Sequence, residues 1–391
     1  MSPAEDLWSE HDTTPDAIEA ALRELLVKRH GANQALAPAR VLNLVVIVDR
    51  DWKGEISNRL ARVGRYHASR TVLCAVGDGR ETIDARVVMS YEQPSGASLG
   101  VIQEQVELDL GPEHLDALET IVDSLIVSDL PTVLWSPHGH EQAVQALLEM
   151  IDVMLLDSDD ALAAPEALAR ASALLGEAYV VDLAWLRTTP WRERLAASFD
   201  PPERATALQE ISGIEVRYRP SSAASAVLLA GWLSSRLGWE AQALASRDSD
   251  SDGEDEGGDG DGCGGGGLRG AGLPGGGRLR GAGLQGGGRL RGYARRRGER
   301  VGIELKATDQ DAPGLGGITV DCASGFSLSL DRARGGLRAK ECSPAGHERT
   351  WQILGASRGE GGILGEGVRQ ALLRDPTYGP ALGAARELWP E

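Results

Sequence analysis

From residue 113 onward the chain alternates short apolar runs with helix-period stretches at nearly constant spacing, and this constrains the fold more than any other feature. Helical patterns extend to Val127 and then cover 140 to 150, 160 to 175 and 190 to 199. Between them Thr132 to Trp135, Val153 to Leu156 and residues 178 to 186 read as strands. Strands separated by helices can lie side by side only through crossover connections, which makes their sheet parallel. Upstream, Thr14-Pro15-Asp16 followed by Ile18, Ala21, Leu22, Leu25 and Leu26 reads as a capped amphipathic helix. Val41 to Val48 and Arg70 to Val76 read as buried strands around a helix at 55 to 64, and Arg86 to Met89 with Val101 to Leu110 as an antiparallel hairpin insertion. Ile214 to Tyr218 reads as a further strand before a long apolar helix from Ser222 to Leu237, stopped by Gly238.

Residues 248 to 300 break the pattern. Asp248 to Asp261 carries eight acids among Ser and Gly, and Leu268 to Arg278 repeats as Leu279 to Arg289 at an eleven-residue period. Such a segment cannot bury enough apolar surface to order itself. After it, Val301 to Lys306, Gly317 to Cys322, Phe326 to Leu330 and Trp351 to Leu354 read as strands, and Ile363 to Arg374 and Thr377 to Leu388 as helices. The predicted architecture is therefore α/β. A mostly parallel sheet layered with helices occupies 1–246, a disordered acidic then Gly/Arg-repeat linker 247–299, and a smaller α+β domain 300–391. A chain of 391 residues is long enough for both domains to hold a core.

The formal net charge of −18 repels phosphate backbones and argues against a nucleic-acid partner. The linker holds nine acids and nine arginines, so that charge belongs to the flanking domains, and its acidic half argues against RNA association through the Arg-Gly repeats. Cys74, Cys263, Cys322 and Cys342 form no C-x-x-C pair and no zinc spacing, and read as reduced thiols. With no leader-like start and no long apolar run, the expectation is a cytoplasmic protein that neither crosses nor binds a membrane.

The segment Asp182 to Ala196 concentrates two tryptophans and three arginines. Tyr179, Val181, Leu183 and Trp185 alternate as one strand face, Thr189 offers an N-cap with Pro190 at the first helical position, and Trp191, Leu195 and Phe199 form an apolar stripe. Arg187 and Arg192 then lie near the positive helix start, a place for a phosphate or a partner's carboxylate. Arg65, His67, Ser69 and Arg70 lead into a strand and form a second candidate anion site. Asp157 ends a strand, where it can cap the next helix or meet an arginine of that loop. Gly96-Ala-Ser98-Leu-Gly100 leads into an alternating strand, and Gly355-Ala-Ser357-Arg-Gly359 has no histidine after it, so neither is a hydrolase nucleophile. The two G-x-G-x-x-G matches lie inside the repeat, and there is no P-loop lysine. His138-Gly-His140 follows a strand and could offer two metal ligands, but with no third evident it reads as a surface loop and helix start. The reading assigns no catalytic residue, metal or cofactor.

The order of several motifs resembles one family. Leu42-Asn-Leu-Val-Val, Arg65-Tyr-His-Ala-Ser-Arg70, Asp129-Leu-Pro-Thr-Val-Leu-Trp135, Leu156-Asp-Ser158, Asp182-Leu-Ala-Trp-Leu-Arg-Thr-Thr-Pro-Trp-Arg192, Gly231-Trp-Leu233 and Leu237-Gly-Trp239 are similar to the OpcA glucose-6-phosphate dehydrogenase assembly proteins of cyanobacteria and actinobacteria. Ser136, where the family usually has a second tryptophan, and the Gly/Arg insert depart from the pattern. The resemblance implies a non-catalytic factor that binds glucose-6-phosphate dehydrogenase and promotes its active oligomer in the oxidative pentose phosphate pathway. Its contact would be an exposed patch containing Trp185, Arg187, Trp191 and Arg192, or the Arg65 to Arg70 loop. The residues alone leave open a sugar-phosphate sensor or enzyme that uses the same arginines.

Overall fold

A computed structural model describes residues 4–32, 36–38, 40–64, 69–92, 100–160, 162–247, 288–355 and 360–390. The linker reading over 248–287 and both Gly-x-Ser-x-Gly serines lie outside the described residues. In chain order the elements are β1 (Ala4–Glu10), α1 (Pro15–Ala32), β2 (Leu36–Pro38), β3 (Leu42–Asp49), α2 (Lys53–Gly64), β4 (Ser69–Val76), β5 (Asp84–Glu92) and β6 (Gly100–Leu110). There follow α3 (Leu118–Asp123), β7 (Thr132–Trp135), α4 (Glu141–Leu147), β8 (Val153–Leu156), α5 (Ala164–Leu174), β9 (Tyr179–Asp182), α6 (Leu183–Phe199), α7 (Pro202–Ala205) and β10 (Ile211–Tyr218). The chain continues through α8 (Ala223–Leu237), β11 (Ala245–Arg247), β12 (Arg289–Arg296), β13 (Glu299–Ala307), β14 (Leu315–Cys322) and β15 (Ser327–Ala333). It ends with β16 (Gly336–Cys342), β17 (Glu348–Leu354), α9 (Glu360–Gln370) and α10 (Tyr378–Leu388).

The first sheet has the order β1-β5-β6-β4-β3-β7-β8-β9, with β2 paired to β6. From β6 to β9 every neighbouring pair is parallel. Its central strands β4 and β7 are buried along their whole length, which explains the apolar runs Val72 to Val76 and Val133 to Trp135. Asn43 is the buried polar exception in β3. Its amide nitrogen donates to the carbonyls of Val127 and Leu130 at 3.0 and 3.2 Å, and its oxygen accepts from the Val127 amide at 3.0 Å. A buried side chain thereby fixes the loop that delivers β7. The β5–β6 hairpin is no insertion, because β6 pairs in parallel with β4 and β5 carries β1 on its other side. Strand order reverses between β3 and β7, since β4 lies on one flank of β3 and β7 on the other. Crevices outside the carboxyl ends of such strands are where sheets of this kind hold ligands.

The second sheet runs β11-β12-β13-β10-β14-β15-β16-β17. It differs from the expected partition in three ways. Strand β10, within the expected 1–246 domain, sits between β13 and β14, so a boundary at 246 does not separate the two sheets. Arg289 to Arg296, placed in the linker by composition, is a strand paired to both β11 and β13. The closing helices turn away from the strands that precede them: α10 packs on α8 and α5, and α9 on α6 and α2. Buried side chains of both sheets belong to one contiguous core.

Gly231 marks a close contact between α8 and α10. A Cβ there would stand 2.4 Å from the Ala381 carbonyl oxygen and 2.7 Å from the Ala385 amide nitrogen, and neither backbone atom can give way without moving α10. At Gly383, exposed on α10, an added methyl carbon would meet nothing within 4 Å. Gly231→Ala should therefore cost about 1–3 kcal/mol through overpacking, whereas Gly383→Ala should add roughly 0.5–1 kcal/mol through helix propensity. Urea midpoints of the two variants check both signs.

Candidate functional site

At the carboxyl edge of the first sheet, β8 runs into Asp157-Ser158-Asp159 and β9 ends on Asp182. Asp182 is fully buried and accepts four hydrogen bonds. The Ser158 and Ala184 amides donate to Oδ1 at 3.1 and 2.9 Å, and the Ser158 and Tyr378 hydroxyls donate to Oδ2 at 2.7 and 3.0 Å. The Ala184 contact makes Asp182 the N-cap of α6. Helix α6 therefore begins at Leu183, not at Pro190. The predicted strand stops at Asp182, Trp185 belongs to the first helical turn, and Pro190 lies in the helix interior. The Thr189-Pro190 start signal loses to a carboxylate positioned seven residues earlier.

Arg187 donates to both oxygens of Asp157, Nη1 to Oδ1 and Nη2 to Oδ2, each at 2.7 Å. Its side chain is 11% exposed. Asp159 lies 3.9 Å from the same guanidinium and accepts from the backbone amide of Ser225 at 3.0 Å as well as from its hydroxyl, so it caps the first turn of α8. Burial and the neighbouring Asp157 carboxylate hold Asp159 well above the usual carboxylate range. Trp185 donates from Nε1 to Asp375 Oδ2 at 2.9 Å, and the Arg192 guanidinium stacks over its ring at 3.6 Å. Arg192 also donates to the Thr188 and Thr189 hydroxyls at 2.9 and 3.1 Å, and burial lowers its pKa to about 10. Asp375 receives a further hydrogen bond from the Thr377 amide, and its own amide donates to the Tyr179 hydroxyl at 2.6 Å.

These contacts correct the expected exposed patch. Trp185 and Trp191 are each 2% exposed, and Trp135 is buried in β7. Arg187 and Arg192 face carboxylates and hydroxyls of this chain, so the anion place is filled from within. Arg65 and His67 lie outside the described residues. Ser69 and Arg70 are buried at the opposite, amino edge of the sheet. Ser69 Oγ lies 3.3 Å from Thr71 Oγ1, while Arg70 donates to Glu104 at 2.7 Å and to the Leu125 carbonyl at 3.1 Å. Asp157 therefore meets Arg187 instead of an arginine of that loop. Of the candidates, Asp157, Trp185, Arg187 and Arg192 form one cluster. Its members Asp159, Asp182, Asp375 and Tyr378 are missing from the candidates that the sequence suggests. The acidic run after β8 is a usable signal for Asp159, and the start of α6 for Asp182, but nothing local marks Asp375 or Tyr378.

Two family models match this chain, both described as "Glucose-6-phosphate dehydrogenase subunit". Residues 61–173 match the N-terminal domain of that description and residues 178–260 match its C-terminal domain. The chain belongs to the OpcA family. The OpcA family match ends before the second sheet, apart from β10 and β11. A relative in Synechococcus elongatus named "Putative OxPP cycle protein OpcA" is 30% identical over 201 residues, or 50% of this chain and 44% of that protein. One of the same name in Synechocystis is 35% identical over 131 residues, 32% of this chain and 28% of that protein. The matched stretch thus spans less than half the length of these OpcA relatives. An oxidoreductase from Sinorhizobium meliloti of known structure superposes with a TM-score of 0.47 at 13% identity, covering 89% of this chain and 95% of that one. A likeness of that degree carries no functional information. Among the described residues no helix is long and apolar enough to cross a membrane.

Two outcomes follow from the cluster. Arg187→Ala should lower the unfolding free energy by up to about 3 kcal/mol, because it leaves the largely covered Asp157 carboxylate, 15% exposed, without its cation, a loss that chemical denaturation reads directly. Burial, aided by Asp157, raises the Asp182 pKa to about 6. The fold thus prefers the protonated carboxyl: this contribution is complete below the unfolded value near ~3.9 and is lost as pH rises through about 6. In Asp182→Asn the amide oxygen can still accept from both backbone amides while its nitrogen donates to the two hydroxyls. Relative to Asp182→Asn, the native chain should therefore lose roughly 3 kcal/mol between about pH 3 and neutral pH, measured as the pH dependence of the difference in urea midpoints.

Proposed function

We propose that this chain is a non-catalytic factor that binds glucose-6-phosphate dehydrogenase and favours its active oligomer, with the open face of the second sheet as the contact surface. One observation carries the reading. In β10 and β12 to β15 buried residues largely alternate with less buried ones, and β10 and β13 pack on α8 while β14 packs on α6. Their other side is polar and partly exposed. In register across it run Arg291, Glu304, Glu215, Thr319, Ser329, Lys340 and Thr350, and beside them Arg289, Lys306, Arg217, Gly317, Asp331, Arg338 and Gln352. Charges of both signs are held in place by neighbours: Arg217 donates to Asp331 at 2.9 Å and to Thr319 at 2.9 Å, and Arg291 to Glu304 at 2.7 Å. A broad, rigid, polar face suits a non-obligate protein partner better than a small metabolite.

The first sheet supports the non-catalytic part. At the carboxyl end of β3, where a dinucleotide-binding chain places a glycine-rich turn, this chain has Asp49-Arg50-Asp51-Trp52. A carboxylate there opposes a pyrophosphate, and no close backbone approach is provided. Binding the active assembly of the dehydrogenase in preference to other states raises its population by mass action.

The test is reconstitution with purified dehydrogenase. Arg338 and Lys340 are exposed, and the double variant Arg338→Glu, Lys340→Glu should weaken binding and activation about tenfold at low salt while leaving the melting temperature of the factor unchanged. Native-level activation by the double variant would reject this face, and turnover of a sugar phosphate by the isolated chain would reject the non-catalytic role.

A further inference from the structure

The carboxyl end of β3 and the loop from β7 to α4 meet where strand order reverses, and there three side chains converge that take no part in the cluster above. They are Asp49, His138 and His140, and one donor atom from each lies within 4.8 Å of the others. His140 Nε2 is 2.9 Å from Asp49 Oδ1, and His138 Nδ1 is 3.7 Å from Asp49 Oδ2. Around a tetrahedral zinc ion with bonds of ~2.0–2.2 Å, adjacent donor atoms stand roughly 3.3–3.6 Å apart. The two separations, measured to different oxygens of the one carboxylate, lie on either side of that range.

His140 Nε2 is buried and makes no hydrogen bond, although the Asp49 carboxylate is close. An imidazole nitrogen and a carboxylate oxygen that lie this close without a hydrogen bond between them can both serve as ligands to one cation. The loop is shaped to produce this arrangement. Gly139 and His140 both have left-handed backbones, φ 89° and 46°, a conformation that costs energy at a residue bearing a Cβ. The buried Ser136 hydroxyl holds the turn by donating to the Gly139 carbonyl at 2.7 Å, and the His138 ring rests against Trp52, with centroids 5.8 Å apart.

We propose that Asp49, His138 and His140 bind a divalent cation of the zinc class. Two imidazoles with one carboxylate suit zinc, whereas magnesium and calcium require an oxygen-rich shell. His138 Nδ1, which accepts the Asp49 amide at 3.0 Å, exchanges that bond for the metal. The Asp49 side chain is 53% exposed, so the fourth position opens to solvent and takes water or an anionic donor. This assignment is independent of the protein-binding face proposed above.

The full chain, freed of metal by a chelator and dialysed, is titrated with Zn2+ by calorimetry and with Co2+ by visible absorption. A single saturable equivalent is expected, with the intense bands of tetrahedral cobalt. His140→Gln and Asp49→Asn should each weaken zinc binding by at least about a hundredfold, since loss of even an outer-shell partner costs ten- to a hundredfold, and should abolish the cobalt bands. His347→Gln, an exposed histidine elsewhere, should leave both unchanged. Circular dichroism of the metal-free variants establishes that they are folded. Zinc affinity equal to wild type in folded His140→Gln and Asp49→Asn, or no saturable binding by the native chain, would overturn the assignment and leave the two histidines as loop-holding groups only.

Discussion

A carboxylate with no solvent contact, Asp182, joins parts of the chain that are far apart in sequence. Its oxygens accept hydrogen bonds from the exit of β8, the first turn of α6 and Tyr378 of α10. An interior carboxyl is costly unless donors surround it, so these partners must arrive together for the fold to close. That requirement draws the last helix back across the first sheet and separates it from the strands preceding it. Around this centre Asp157, Asp159, Arg187, Arg192 and Asp375 complete one another's bonding. The same saturation removes the arginines from the surface and from any exogenous anion.

Much of the first sheet is legible in the sequence because its central strands are buried on both faces. A strand such as β4 is buried on both faces and leaves the continuous apolar run Val72 to Val76, and α8 stops where Gly238 adopts a left-handed backbone, φ 65°. Legibility fails where two local signals compete or where the deciding partner is remote. Thr189-Pro190 looks like a helix start, yet Asp182 caps the helix first. Strand β12 is hidden because its outward side chains are arginines and it continues the Gly/Arg repeat, although Leu290 and Ala294 are buried on its inner face. Strand β16 is obscured because Arg338, Lys340 and Glu341 dilute its apolar alternation with Leu337 and Ala339.

The candidate site is half legible for a related reason. Trp185, Arg187 and Arg192 are recognisable as residues that act together and Asp157 as a carboxylate for an arginine, though of the wrong loop, but residue type does not report exposure. An arginine that has found a bidentate carboxylate and an aromatic face can be buried as completely as a leucine. Asp49 shows the same limit. It stands at the end of a strand well before the histidines, and only the order β3-β7 in the sheet makes them neighbours. Spacing motifs reveal ligands on one helix or one loop, not ligands assembled across a crossover.

The placement of β10 has a consequence for biogenesis. Gly213 pairs with Gly302, so the middle strand of the second sheet waits for a neighbour about ninety residues downstream. At a synthesis rate of ~5–20 residues per second, both of its edges stay open for roughly five to twenty seconds. An unpaired strand with Ile214, Val216 and Tyr218 on one side is a template for pairing with other nascent chains. A shielding chaperone, or early docking of α8 against the finished first sheet, is what the emerging polypeptide needs during that interval.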